Sequence, residues 1–298
     1  MRTNGLGLAG LLLAFGALSG CDEPLSAVEL IQGVRVLGAR VEVDGEPGRQ
    51  APLPGEKARA SLLVASPQLN SALGFALQVC SSNGASGAPE CLGEPFSVSE
   101  QPPGVMRQPS LEFVVPNSVD TMRRLLLRGI VCPGAAPLAG GKGCENELQG
   151  TRVTLEFELA RPLDVNLNPT LTAESLMLDG TAWPASTPLD GDCAGLGFPE
   201  VSASSKHQLA LTLFEQDRDA LPETEGGGKE TLQISHFVTD GTLERAFDVL
   251  APEDTRLVRT VDWTAPSPEA NRLVRFWYVV RDLRGGSDFT ERNVCVLR

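Results

Sequence analysis

The sequence predicts an all-β chain of two β-sandwich domains in tandem, and three observations carry that prediction. After residue 21 the apolar residues come in short alternating or continuous runs broken by Gly, Pro, Asn and Asp, which is the pattern of strands, and no segment keeps a long helical period. The pattern breaks at 160–168 (ARPLDVNLN) and restarts at Asn168-Pro169-Thr170-Leu171, dividing the chain into halves of ordinary domain size. Apart from Cys21, six cysteines divide four to two between those halves.

In the first half the runs place strands near 34–43, 58–66, 74–80, 111–115, 124–132 and 151–159, and their regular spacing with turn-rich connections reads as a sandwich. The stretch 26–32 reads as a helical turn or as plain tether, and 117–122 as a further short turn. The second half repeats the pattern, with strands near 170–178, 208–215, 230–239, 257–263, 272–282 and 289–297. In 272–282, Val274, Phe276, Tyr278 and Val280 share one face and should point into the core. Arg275, Trp277, Val279 and Arg281 share the other, where the arginine stems would cover Trp277 at a wet surface or Trp277 would mark a contact. The domain expectation is a tether over 21–33, one sandwich over 34–160, a linker over 161–169 and a second sandwich over 170–298.

Three segments of the second half carry a family resemblance: 234–242 (ISHFVTDGT), 261–266 (VDWTAP) and 276–286 (FWYVVRDLRGG). In order and spacing they resemble the closing strands of PKD-like and bacterial Ig-like domains, over roughly residues 230–298. The chain departs from that pattern at Asp240, which replaces a turn glycine, and at His236, where an aromatic is common. The resemblance implies Ig-like/PKD-like β-sandwiches in an extracytoplasmic setting, and no chemistry.

The N-terminus supplies an address. The run 5–18 (GLGLAGLLLAFGAL) follows Arg2, is uncharged and is fourteen residues long, too short for the roughly 20 apolar residues of a spanning helix. Together with Leu18-Ser19-Gly20-Cys21 it resembles a bacterial lipoprotein signal, in which a small residue precedes a cysteine that receives diacylglycerol before cleavage. That resemblance implies loss of residues 1–20 and a mature chain held to a membrane by acyl chains on Cys21, two or more of which give stable attachment. An ordinary secretory signal with a chance cysteine, or a retained apolar N-terminus, is the alternative. Asp22 is the residue that in enteric bacteria disfavours transfer to the outer membrane, but sorting rules differ between bacterial groups. The expected location is therefore the cell envelope, at the outer membrane or the periplasmic face of the inner one.

Acidic side chains outnumber basic ones 38 to 25, for a net charge of −13, and such a surface is repelled by nucleic acid and by anionic headgroups. With Cys21 committed to lipid, an even six cysteines remain in an oxidising compartment, so three disulfides are expected. If each half folds alone, Cys193 pairs with Cys295. In the first half Cys80–Cys91 and Cys132–Cys144 each bracket a Gly/Pro/Ser-rich loop that a crosslink would close, with cross-pairing through Cys80–Cys132 the alternative. No CxxC occurs, and His207 and His236 stand apart from the first-half cysteines, so no zinc site is expected.

Other candidate sites have plain structural readings. His236 alternates with Leu232, Ile234 and Val238 and reads as a buried, hydrogen-bonded core histidine, while His207, in phase with Leu209, Leu211 and Leu213, belongs at the core rim. No GxSxG, HExxH or Walker pattern accompanies them. Glu215, Asp217, Asp219, Glu223 and Glu225 form an acidic loop without EF-hand spacing, a solvated loop before a calcium site. The following Gly226-Gly227-Gly228 reads as a hairpin or linker, and Asp282 with Gly285-Gly286 as the shapers of the last hairpin. No cofactor and no metal is expected. The function expected is non-catalytic: a lipid-anchored envelope module that binds a protein partner or supports an assembly through loops 81–89, 133–143 and 218–229. A surface adhesin or glycan-binding module using Trp183 and Trp277 is the alternative, and an enzyme assembled from sequence-distant residues a further one.

Overall fold

The computed structural model describes residues 27–68, 71–82, 88–104, 108–119, 124–147, 149–159, 166–188, 191–221 and 227–298; the expected signal segment and Cys21 lie outside them. The first sandwich contains β1 (Arg35–Val43), β2 (Lys57–Ala65), β3 (Leu73–Ser81), β4 (Ser97–Gly104), β5 (Ser110–Val114), β6 (Arg124–Pro133) and β7 (Thr151–Glu158). They form a three-stranded sheet in the order β1-β2-β5 and a four-stranded sheet in the order β4-β3-β6-β7, antiparallel throughout. Alternate residues of the facing strands, among them Val41, Leu62, Phe75, Leu77, Phe113, Leu127 and Phe157, close the core between the sheets. Gly129 in β6 is required by that packing, because a Cβ there would lie 2.0 Å from the Ala76 carbonyl oxygen.

The one strand of this sandwich that the apolar pattern does not announce is β4. Its residues, SVSEQPPG, are exposed along most of their length, and it lies at the edge of its sheet, where Pro102 and Pro103 cost no ladder partner and blunt the edge.

The second sandwich contains β8 (Leu176–Leu178), β9 (Thr181–Ala182), β10 (Glu200–Ser202), β11 (Lys206–Thr212), β12 (Leu232–Val238), β13 (Thr242–Leu243), β14 (Phe247–Leu250), β15 (Val258–Thr264), β16 (Arg272–Arg281) and β17 (Ser287–Leu297). Two five-stranded sheets result, β13-β15-β11-β8-β9 and β10-β17-β16-β12-β14, with β10 parallel to β17. Edge-to-face aromatics fill the space between them: Phe276 has ring centroids 5.0 Å from Trp183 and 4.9 Å from Trp263. Both indoles are satisfied, Trp183 donating to the Asn293 carbonyl at 3.0 Å and Trp263 to the Asp240 carbonyl at 3.2 Å. Gly241, at φ +84, sits where a Cβ would lie 2.4 Å from the Trp263 indole nitrogen. At the preceding position Asp240 serves the turn by accepting from the Gly241 N–H at 2.8 Å and pairing with Arg272 at 2.7 Å.

The outer face of β16 is not wet. Trp277 and Val279 are fully buried against Ile31, Leu37, Leu63 and Ala65, so the first sandwich covers this face of the second. Polar bonds flank the apolar contact. Arg275 donates to the Ser66 carbonyl at 2.6 Å, Arg281 to the Leu37 carbonyl and Ser287 to the Ala39 carbonyl, while Arg40 pairs with Asp288 at 3.1 Å. The described part of the expected linker and the two residues after it are pinned as well: the amides of Leu167, Asn168, Thr170 and Leu171 donate to Asp219, Gly48, Asp217 and Asp288 at 2.6–3.1 Å. Nor is the end of the expected tether bare chain, since Val238 donates to the Glu29 carbonyl at 2.9 Å and accepts from the Ile31 N–H at 2.8 Å.

At one end of the joint lies a buried carboxylate group. Asp282 accepts from the amides of Arg284 and Gly286 at 2.7 and 2.8 Å and from the Asn166 side chain at 2.8 Å, and Glu230 pairs with Arg284 at 2.7 Å. Burial pushes Glu230 up to about 7 and Asp282 up to about 6, outweighing the bonds from Arg284 and Asn166. Glu56, held down by Arg49, and Glu112, held down by Lys57 and Arg59, titrate below that window.

A carboxyl whose folded pKa is raised binds more protons folded than unfolded, so its contribution is present at acid pH and lost as pH rises through the folded value. The melting temperature is therefore expected to fall between about pH 5 and about pH 8, and Glu230→Gln to flatten that fall in calorimetry. The same calorimetry should show one cooperative transition, with Trp277→Ala costing about 3–5 kcal/mol and splitting it in two.

Candidate functional site

Between the sandwiches opens a cleft of about 430 Å³. One wall is the end of β2 with the turn into β3, including Leu63, Ser66, Gln68 and Ser71; the other is residues 185–188 with Phe289, Thr290 and Glu291 of β17. Both walls follow from where their elements end: β2 stops at Ser66-Pro67, leaving polar residues past the last ladder bond, and 185–188 run on from the buried Trp183.

The two walls are joined by Arg275 in β16. Its guanidinium forks onto Glu291, with Nε and Nη2 donating at 3.0 and 3.1 Å, reaches across the joint to Ser66, and lies 4.8 Å from the centre of the Trp277 ring. Around this pair the lining is neutral. The Ser66 hydroxyl contacts those of Ser71 at 3.0 Å and the Gln68 carbonyl at 3.3 Å, and Asn293 donates to the Ser186 carbonyl at 2.8 Å. Half-buried Phe289 adds an apolar surface. Such a lining fits a ligand that is bound by hydrogen bonds and a modest apolar contact.

The sequence-predicted sites lie elsewhere. The sulfurs of Cys80 and Cys91, Cys132 and Cys144, and Cys193 and Cys295 are joined, with Cα–Cα distances of 5.5, 5.6 and 5.6 Å. The first two close short loops and the third spans the second sandwich; three disulfides mark an exported, extracytoplasmic chain. Trp183 and Trp277 are fully buried and offer no platform to a glycan. His236 is buried as expected, but neither ring nitrogen has a hydrogen-bond partner; its ring stands edge-to-face with Tyr278 at 5.6 Å, and burial lowers it to about 4. The acidic loop is not simply solvated: Asp217 is buried and accepts from Phe214 and Thr170, and Arg218 is buried among the carbonyls of Ala251, Pro252, Asp254 and Glu230. Glu223 and Glu225 lie outside the described residues, as do 83–87 of loop 81–89 and 222–226 of loop 218–229. In loop 133–143, the Gly140 amide donates to Glu100 at 2.9 Å. Among the described residues no group of three or more His, Cys, Asp or Glu side chains is placed to hold a metal ion.

One polar constellation has the outline of a nucleophile relay. His207 Nδ1 lies 2.6 Å from Asp179 and Nε2 lies 2.5 Å from the Ser205 hydroxyl, and Asp179 also accepts from the Gln208 amide at 2.8 Å. The Ser205 hydroxyl donates at 2.5 Å to the Ser202 carbonyl of its own turn, whose Ser204 has φ +59. Its one hydrogen is thereby committed to the turn, and the set reads as a clamp joining the start of β11 to the β8–β9 turn.

No protein-family model and no curated protein matches the chain. Among solved structures, the dimeric latent PorU of Porphyromonas gingivalis overlaps at 12% identity with a TM-score of 0.24, over 87% of this chain and 24% of its own. Fibronectin(III)-like modules of Clostridium thermocellum CbhA overlap at 13% identity and 0.22, over 86% and 93%. Activated alpha-2-macroglobulin of Escherichia coli overlaps at 8% identity and 0.24, over 92% and 22%. The chain thus spans about a quarter of PorU and less of the macroglobulin, and overlaps this loose carry no inference about activity, ligand or partner.

Replacing both Cys193 and Cys295 with alanine is expected to cost about 2–5 kcal/mol in denaturant unfolding. Because β17 also carries Ser287 and Asp288 of the joint, protease sensitivity of the linker should rise with it.

Proposed function

We propose that this chain is a non-catalytic, lipid-anchored envelope module that binds a protein partner in the cleft between its sandwiches. The observation that carries this reading is the cleft itself: two walls from different sandwiches, held in register by Arg275 and lined by hydroxyl and amide groups beside Phe289. Rigidly held walls bind without the cost of ordering themselves, which favours an interface over a hinge. A protein segment is preferred to a glycan because the indoles that would stack on sugar rings are buried. The membrane anchor rests on Leu18-Ser19-Gly20-Cys21, and the disulfides support an extracytoplasmic setting.

A photo-crosslinking residue at Gln68 or Thr187 in intact cells should capture one dominant protein, identified by mass spectrometry, and the same residue at Val114 should not. Capture should fall when Cys21→Ala detaches the chain from the membrane. Equal capture at all three positions, or none, would remove the cleft as the site; glycan bound to the purified protein and lost on Phe289→Ser would instead favour the adhesin.

A further inference from the structure

The point at which the chain leaves the second sandwich fixes which side of that sandwich faces the membrane. The Val238 amide of β12 donates to the Glu29 carbonyl at 2.9 Å, and two residues earlier the His236 amide donates to the Ala246 carbonyl at 2.8 Å, just before β14. Carbonyls received by residues i and i+2 of one strand lie roughly 7 Å apart, so the N-terminal segment and the start of β14 are neighbours on one edge of the sheet. That edge carries three exposed apolar side chains: Val28 at 65%, Phe247 at 58% and Val249 at 42%. From Cys21 to Val28 the chain advances seven residues, which span at most about 25 Å when fully extended. A sandwich of this size is roughly 35–40 Å across. An anchor that short holds the Val28 edge within about 25 Å of the bilayer, less than the width of the domain.

We propose that the edge formed by Val28, Phe247 and Val249 lies against the lipid surface of the membrane that holds Cys21. This rests on the lipid anchor of the proposed function and is independent of the cleft. With a net charge of −13 the chain gains nothing from anionic headgroups; the short anchor brings this edge near the bilayer, and its exposed apolar side chains draw it to the interface. The opposite edge of the same sheet, β10, lies four strand spacings away, roughly 19 Å, and faces the aqueous side.

The test uses the full lipidated chain in neutral phosphatidylcholine vesicles, with a fluorophore on Phe247→Cys, Val249→Cys or, on the opposite edge, Ser202→Cys, the three disulfides left intact. Labels at 247 and 249 are expected to be quenched by a nitroxide-bearing lipid and shielded from iodide, and the label at 202 to show the reverse. Vesicle-bound protein whose labels at 247 and 249 are as open to iodide as the label at 202 overturns the proposal and leaves the anchor standing. Shielding from iodide without quenching by the lipid assigns the edge to a second copy of the chain and also overturns it. A mature chain without acyl groups on Cys21, read by mass spectrometry, overturns the anchor and this proposal together.

Discussion

The architecture depends on β16 being buried on both faces. Phe276, Tyr278 and Val280 face the aromatic core of their own sandwich, and Trp277 and Val279 face the first one. A strand apolar on both sides is the mark of an inner layer, and here it makes the four sheets of the two domains a stack instead of two separate bodies. Arg275 and Arg281 bracket the apolar patch along the same strand, each giving a bond across the joint to a backbone carbonyl. The cleft exists because that joint closes on one side of Arg275 and leaves Ser66, Gln68 and Ser71 standing clear of Thr290 and Glu291 on the other.

The strands that carry apolar alternation were legible, and each of the twelve sequence-read strands overlaps one in the structure to within a few residues at most ends. The missed ones, β4, β9, β10, β13 and β14, are edge strands or strands of two to four residues, whose side chains face water on most positions, so burial writes no period into them. The alternation of 272–282 misled in one respect. It sorted the two faces correctly, but a face bearing Arg275 and Arg281 reads as solvent when its partner lies some two hundred residues away in the chain. The pinning of the linker was hidden for a related reason: Asp217, Asp219 and Asp288 sit among other acids and gave no local sign that each meets a backbone amide of 167–171.

The candidate site was not legible at all. Its lining combines ordinary serines, threonines and glutamines from 63–73 with 185–188 and 275–291, and no spacing rule joins such segments. The features that stood out in the sequence were instead absorbed by structure. Trp183 and Trp277 became core, the histidines became a buried ring and a turn clamp, and Gly286 became the close approach to Asp282, where a Cβ would lie 2.1 Å from the carboxylate. The cysteines were the exception, because loop closure is a local argument and two of the three bonds are local, at separations of 11 and 12 residues.

The third bond, with a separation of 102 residues, orders events in time. A chain threaded through a translocon from its N-terminus can complete the first sandwich, both short disulfides included, while the second is still arriving. Cys193 must then wait as a free thiol until β17 delivers Cys295, and β17 also brings Ser287 and Asp288, to which β1 binds. Oxidation of Cys193–Cys295 and docking of the two sandwiches therefore both wait on β17. Before it, a lone Cys193 facing two finished disulfides is the point at which thiol exchange would form the wrong pair.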